Sequence, residues 1–250
     1  MLIMVNSLYR DMLNFFRNQF TSILLLVFLT AFFNTLLSHT LFPENEQLIR
    51  LIDSTHIKDT TDVTLQQLVQ KLSLEKKLVL LKASIIAIFS GLISNILLVG
   101  GLLSMIHQIS NRKYIGLLHA IFLLVPLLPR LMLLIFITTL LVKLGLLLII
   151  IPGIFLAIVF SLAPIIIISD NLDVIKSMCL SASIASNNFR LLIPAIFFWF
   201  LAKTALLLMS TQFSFLSSLV TAILLNSLNN LISSLLLIYL YRLYMLLQKN

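Results

Sequence analysis

The sequence predicts an all-α fold, a polytopic membrane helical bundle of about six transmembrane helices, with three parallel hairpins as one arrangement of them. Three observations predict it. Of the 250 residues, 60% are hydrophobic and 10% charged, with a mean hydropathy of +1.11, where an ordinary soluble domain is about a quarter charged. About six stretches reach the roughly 20 apolar residues that a helix needs to cross the hydrocarbon core. The basic residues lie between and at the ends of those stretches. One polar stretch is long enough to divide the chain, so residues 1–250 read as a single membrane domain.

The spans fall near 20–41, 84–109, 117–142, 146–169, 191–209 and 219–244. The first begins too late and runs too long for a signal peptide, and is expected to stay as an uncleaved anchor. Asn14-Phe15-Phe16-Arg17 precedes it, the aromatic suited to the headgroup level and the arginine to the cytoplasmic end. A polar extramembrane loop is expected over 42–83. Within it Leu65, Leu68, Val69 and Leu72, then Leu78 and Leu81, recur at helical spacing, with Ser73 placed to cap a second helix. A hairpin lying on the bilayer surface is the reading preferred over a partner-binding face.

Spans two and six carry the polar residues: Ser90, Gly91, Ser94, Asn95, Gly100, Gly101 and Ser104 in one, and Asn226, Ser227, Asn229, Asn230, Ser233 and Ser234 in the other. Such residues on membrane helices mark close contact and interhelical hydrogen bonds. Span three places Arg130 near its middle, in PLLPRLML. An arginine there costs at least about 2.5 kcal/mol on insertion scales. The alternative is a span that starts near Arg130, with 114–129 in the interface and the guanidinium snorkelling to phosphate.

A short link at 143–145, followed by Pro152-Gly153, predicts a tight hairpin of spans three and four. Pro164 should deprive the Phe160 carbonyl of its partner, with Ser161 close enough to help. Asp170 marks the exit. The segment after it sets Val174, Met178 and Ile184 against Ser177, Ser181 and Ser183, a weakly amphipathic surface helix. Lys203 lies roughly 20 Å into span five, and Tyr239, Tyr241 and Tyr244 around Arg242 read as an aromatic belt.

Asn187-Asn188-Phe189-Arg190 before span five matches the approach to span one, and Leu191-Leu192-Ile193-Pro194 matches Leu123-Leu124-Val125-Pro126. These pairs suggest a hairpin repeated in parallel, unlike the inverted repeats of many transporters. Arg10, Arg17, Arg112, Lys113, Lys176, Arg190, Arg242 and Lys249 fall on one side of the six spans and Lys143 on the other. Both termini are therefore expected in the cytoplasm. The 42–83 loop runs against this count, since it holds Arg50, Lys58, Lys71, Lys76, Lys77 and Lys82, and the six acids that make it neutral overall count little in this rule.

The net charge of +8 is spread between spans, without the basic patch and interleaved aromatics of a nucleic-acid surface, so anionic lipid headgroups are its expected partners. Cys179 alone excludes an intramolecular disulfide or a cysteine-rich metal site, and His39, His56, His107 and His119 lack metal-ligand spacing. No cofactor is expected.

Several stretches carry a resemblance. They are Tyr9-Arg10-Asp11 with Asn14 to Phe20, Pro152-Gly153-Ile154, Leu162-Ala163-Pro164, Asp170, the Asn187–Arg190 re-entry, Leu201-Ala202-Lys203-Thr204, Asn229 with Leu231-Ile232-Ser233, and Tyr239 to Met245. With them the chain resembles the YciC-type family of uncharacterised bacterial inner-membrane proteins, everywhere but in the first loop. The proline-glycine, proline and aspartate pattern alone also resembles membrane domains attached to some glycerophosphodiester phosphodiesterases. The family resemblance implies six spans in a bacterial inner membrane and transfers no catalytic residue.

No acid pair, nucleophile–base pair or metal spacing stands at a span end, so an enzyme is not expected. The leading expectation is a non-enzymatic role in membrane organisation or assembly, with membrane-protein partners. The alternative is a transporter or channel for a small anionic solute. Candidate solute or lipid-phosphate contacts are Arg130, Lys203, Asn95 and Asn230, because no acid within a span could pair with the two cations.

Overall fold

Backbone in hydrocarbon has no water to bond, so each apolar stretch must satisfy its own peptide groups as a helix. The computed structural model describes residues 5–41, 74–110, 125–148, 150–210 and 217–248. Among these residues the regular elements are all helices: α1 (Val5–Asn18), α2 (Phe20–Leu41), α3 (Leu74–Ser110), α4 (Leu128–Leu148), α5 (Ile150–Val159), α6 (Ala163–Asp170), α7 (Val174–Asn187), α8 (Phe189–Met209) and α9 (Ser218–Gln248), with a 3₁₀ turn at Val125–Leu127 leading into α4. Among the described residues six segments are long and apolar enough to cross a membrane: Phe20–Leu41, Lys77–Ser110, Val125–Leu148, Pro152–Asp170, Phe189–Met209 and Leu219–Gln248.

Consecutive spans pack as antiparallel hairpins, α2 on α3, α4 on α5 and α8 on α9, and α9 also lies along α2. Large apolar side chains such as Phe197, Phe198 and Leu207 stand fully outward, as they do where lipid rather than water covers a helix. Helix α1 packs across the C-terminal part of α9, which defines an α1 end and a far end of the bundle.

Span four is two helices. Backbone bonding shortens to the i−3 pattern at residues 161 and 163, where the Ser161 and Ala163 amides donate to the Ile158 and Phe160 carbonyls at 3.3 and 3.2 Å. The Phe160 carbonyl thus keeps a partner, contrary to expectation, and Ser161 Oγ bonds Ile158 instead, at 2.8 Å. The Val159 carbonyl receives Ser181 Oγ from α7 at 2.6 Å. With Pro164 in its first turn, α6 sits among α3, α4, α7 and α9. Ile165, Ile166 and Ile167 are all fully buried, the signature of a helix with apolar residues all round.

The α4–α5 hairpin is closed by glycines. A Cβ at Gly153 would lie 2.5 Å from the Leu146 amide nitrogen, and one at Gly145 would lie 2.9 Å from Gly153 Cα. Residues 143–145 are not the link expected there; they belong to α4, which continues to Leu148.

Other expectations are corrected by burial. The second helix expected after Ser73 does begin at Leu74, but it runs on unbroken to Ser110, so 74–83 is the start of the span-two helix rather than part of a separate loop; residues 42–73, with the proposed Ser73 cap, lie outside the described residues. Residues 111–124 also lie outside them, which leaves 125–129 of the proposed interfacial segment as the 3₁₀ turn and the start of α4. Helix α7 buries Val174, as expected, but with Ser177, Ser181 and Ala185 beside it, while Met178 and Ile184 are only partly buried against the core, because small serines allow close approach to α6. Tyr239, Tyr241 and Tyr244 are core residues rather than a belt. Each pins α9 to a different element: Tyr239 OH donates to the Leu191 carbonyl at 3.1 Å, Tyr241 OH meets His107 Nδ1 at 3.1 Å, and Tyr244 OH donates to Asp170. Phe15 likewise lies beneath Arg242, 5.3 Å from ring centroid to guanidinium carbon, so this aromatic anchors to protein rather than to headgroups.

Candidate functional site

In the half of the bundle away from α1, helices α2, α3, α4, α8 and α9 surround a cavity of about 550 Å³. Its walls follow helical spacing. Gly91 and Asn95 come from α3, Thr139 and Lys143 from α4, Trp199 and Lys203 from α8, and Asn226, Asn230 and Ser233 from α9, each set three or four residues apart and therefore on one face.

Polar side chains on α9 are held in place from behind. Asn230 Nδ2 donates to Thr30 Oγ1 at 3.0 Å and Asn226 Nδ2 to Thr35 Oγ1 at 3.3 Å, while Ser94 Oγ of α3 donates to the Thr30 carbonyl at 3.0 Å. These bonds tie α2, α3 and α9 together in the manner expected of amides and small residues. The same asparagines also face the cavity, so packing and lining are not alternatives here.

The electrostatics have one sign. Lys143 and Lys203 both line the cavity, and among the described residues no acid lines it. Lys203 Nζ stands 4.3 Å from the centroid of the Trp199 ring, a cation–π contact that holds the ammonium without neutralising it. Asn34 Oδ1 and Trp199 Nε1, both from lining residues, are buried and have no hydrogen-bond partner among the described residues. Desolvated groups of this kind are rare in native proteins without a ligand or water to satisfy them. Gly91 is part of the wall, and a Cβ built there meets nothing within 4 Å.

Of the four candidate contacts, Lys203, Asn95 and Asn230 line this cavity. Arg130 does not. Because Pro126 and Pro129 favour a helix start, Arg130 falls in the first turn of α4 instead of mid-span. It is exposed at the α1 end, where its Nη1 donates to Asn171 Oδ1 at 3.3 Å. That is roughly 20 Å along α4 from Lys143, so Arg130 and Lys203 do not share a path. Asn171 itself holds a left-handed φ of 51° at the end of α6. Lys143 is the residue that the sequence reading missed, since it was placed in a link. Its spacing from Thr139 was the available signal.

Among the described residues no three His, Cys, Asp or Glu side chains converge as a metal site would require. What the cavity can do is offer two ammonium groups and several amides to a ligand of complementary charge.

Comparison with known proteins adds the following. The family described as Uncharacterised protein family (UPF0259) matches residues 1–246. A UPF0259 membrane protein of Sodalis glossinidius (strain morsitans) is 63% identical over 247 residues, covering 99% of both chains. One of Serratia proteamaculans (strain 568) is 46% identical over 248 residues, covering 98% of this chain and 99% of its own. One of Yersinia pestis (strain Pestoides F) is 43% identical over 247 residues, covering 98% and 96%. No solved structure matches the chain.

Proposed function

The chain belongs to UPF0259, the YciC-type family of membrane proteins, and from that premise we propose that it acts in a bacterial inner membrane by binding an anionic group in its far-end cavity, without catalysing a reaction on it. The observation that carries this reading is that Lys143 and Lys203 both line one cavity, with no acid among the described residues of its lining. Lys143 is exposed at the cavity and Lys203 half-buried within the bundle, where a charge is expensive unless water or a counter-charge attends it, and an anionic ligand supplies that counter-charge. The same arrangement favours the solute-handling alternative over a purely architectural role, which would be served by a dry interior. The residues at hand form no nucleophile–base pair in the cavity, which supports binding rather than chemistry.

The orientation of the molecule follows the distribution of charge. Arg10, Arg17, Arg130, Lys176, Arg190 and Arg242 gather at the α1 end, against Lys77, Lys82 and Lys143 at the far end, and this excess assigns the α1 end to the cytoplasm and the cavity to the periplasmic half.

A charge-selective labelling experiment tests both statements. In a Cys179→Ser background, Asn229→Cys places a thiol in the cavity wall. In spheroplasts the anionic ethylsulfonate methanethiosulfonate reagent should react about tenfold faster than its trimethylammonium counterpart, after correction for their reactivity with a free thiol. Lys143→Gln with Lys203→Gln should abolish that preference. Equal rates for the two reagents, or no labelling before denaturation, would overturn the reading.

A further inference from the structure

The polar cavity does not stand alone. Beneath it, toward the α1 end, α1, α8 and α9 enclose a second space of about 340 Å³, lined by Ala195, Phe198, Ala202, Ile232 and Leu235 and closed by Tyr9 and Tyr239. The two tyrosine rings stand 5.2 Å apart, centroid to centroid. Trp199 and Leu236 line both spaces, so the polar cavity and the apolar groove adjoin at these two side chains. Phe198, on the rim of that groove, is exposed where the bilayer would lie.

We propose that the ligand is an anionic phospholipid, whose phosphate lies between Lys143 and Lys203 and one of whose acyl chains runs down the groove. This deepens the function proposed above and rests on it. A free inorganic or organic anion would use the cavity and leave the groove without a role. A zwitterionic lipid would fill the groove and leave two ammonium groups without a counter-charge. One molecule with an anionic head and an apolar tail satisfies both spaces at once.

The depth of the site agrees with this assignment. Lys203 lies roughly 9 Å below the end of α8, at 1.5 Å per residue. A phosphate drawn in that far carries its tail past the level at which an ordinary outer-leaflet chain begins, and the tail then needs a protein wall. From Ala202 to Ala195 the groove supplies such a wall along roughly 10 Å of α8. The Trp199 indole borders both spaces, which is where an amphipathic ring belongs.

The test uses the Asn229→Cys, Cys179→Ser protein purified in a neutral detergent and labelled by the sulfonate reagent. The probes are dioctanoyl phosphatidylglycerol, dioctanoyl phosphatidylcholine and glycerol 3-phosphate. Phosphatidylglycerol is expected to slow labelling about tenfold at a concentration where the other two have little effect, since head and tail each contribute. Ala202→Trp, which fills the groove, should remove that protection. Equal protection by glycerol 3-phosphate would assign the cavity to a free anion and overturn the proposal. Equal protection by phosphatidylcholine would overturn it as well, by removing any need for the lysines. The three-probe comparison decides the matter without the Ala202→Trp protein, should that variant fail to fold. The charge preference of labelling without any probe reports separately on the cavity reading, so the two failures are distinguishable.

Discussion

Tyr244 donates its phenolic proton to Asp170 Oδ2 across 2.6 Å, joining the last turns of α9 to the last residue of α6. Gln248 Nε2 adds a second bond to Asp170 Oδ1 at 3.1 Å. The two ends of sequence-distant spans are thereby locked at the α1 end. Tyr244→Phe removes the bond and leaves the carboxylate to an exposed glutamine. A bond to a carboxylate contributes about 1.5–3 kcal/mol, so the melting temperature in detergent should fall clearly for Tyr244→Phe. For Gln248→Ala, on the exposed last turn, it should change little.

Two serines on one face of α7 should behave oppositely. Ser181 Oγ satisfies the Val159 carbonyl at the break in span four, and Ser181→Ala would leave that group unpaired in an apolar surrounding, at about 1–3 kcal/mol. Ser177 Oγ is buried with no hydrogen-bond partner among the described residues, so Ser177→Ala removes an unsatisfied hydroxyl and should be neutral or stabilising. Parallel thermal-unfolding curves check both, and equal losses would show that shape rather than hydrogen bonding governs this face.

Glycines separate in the same way. A Cβ at Gly153 collides with the backbone of α4 at Leu146, which cannot give as a side chain would. Gly153→Ala should therefore open the α4–α5 hairpin and lower the yield of folded protein. Gly91→Ala meets open space and removes a helical glycine, which should raise stability by up to about 1 kcal/mol. Gly91→Leu should project into the cavity and slow labelling of Asn229→Cys while the protein remains folded.

The Asn230–Thr30 bond at 3.0 Å offers a direct measure of what interhelical polar contacts contribute here. A double-mutant cycle with Asn230→Leu and Thr30→Val is expected to give a coupling of about 0.6 kcal/mol, with an upper range near 1.7. No coupling would mean that Asn230 serves the cavity alone.

Much of this molecule is written locally. A run of about 20 apolar residues has one way to satisfy its backbone in lipid, so the spans could be read from composition and length, and Pro152-Gly153 announced a tight approach before any contact was known. The polar stripes of spans two and six were equally visible, because amides in a membrane helix must meet protein, water or ligand. Positions near span ends were harder. Lys143 read as a loop charge because hydropathy cannot say where a helix ends, and α4 runs on to Leu148. Arg130 read either as central or as lying at a start set by Pro126 and Pro129, and the second is where α4 places it.

The sequence by itself determined that this is a helical, multi-pass membrane protein with polar residues concentrated on two of its spans, because those properties depend on the solvent around each segment. Which side chains meet was decided only by the tertiary structure. Tyr239, Tyr241 and Tyr244 look like an interfacial belt in one dimension and are three separate core clamps in three. Lys143 and Lys203, sixty residues apart in the chain, share a cavity because α4 and α8 both border the gap left by α2, α3 and α9. Hydrophobicity sends every span into the bilayer alike. Their arrangement within it comes from close contacts and hydrogen bonds between particular residues, since burial from water no longer distinguishes one apolar face from another.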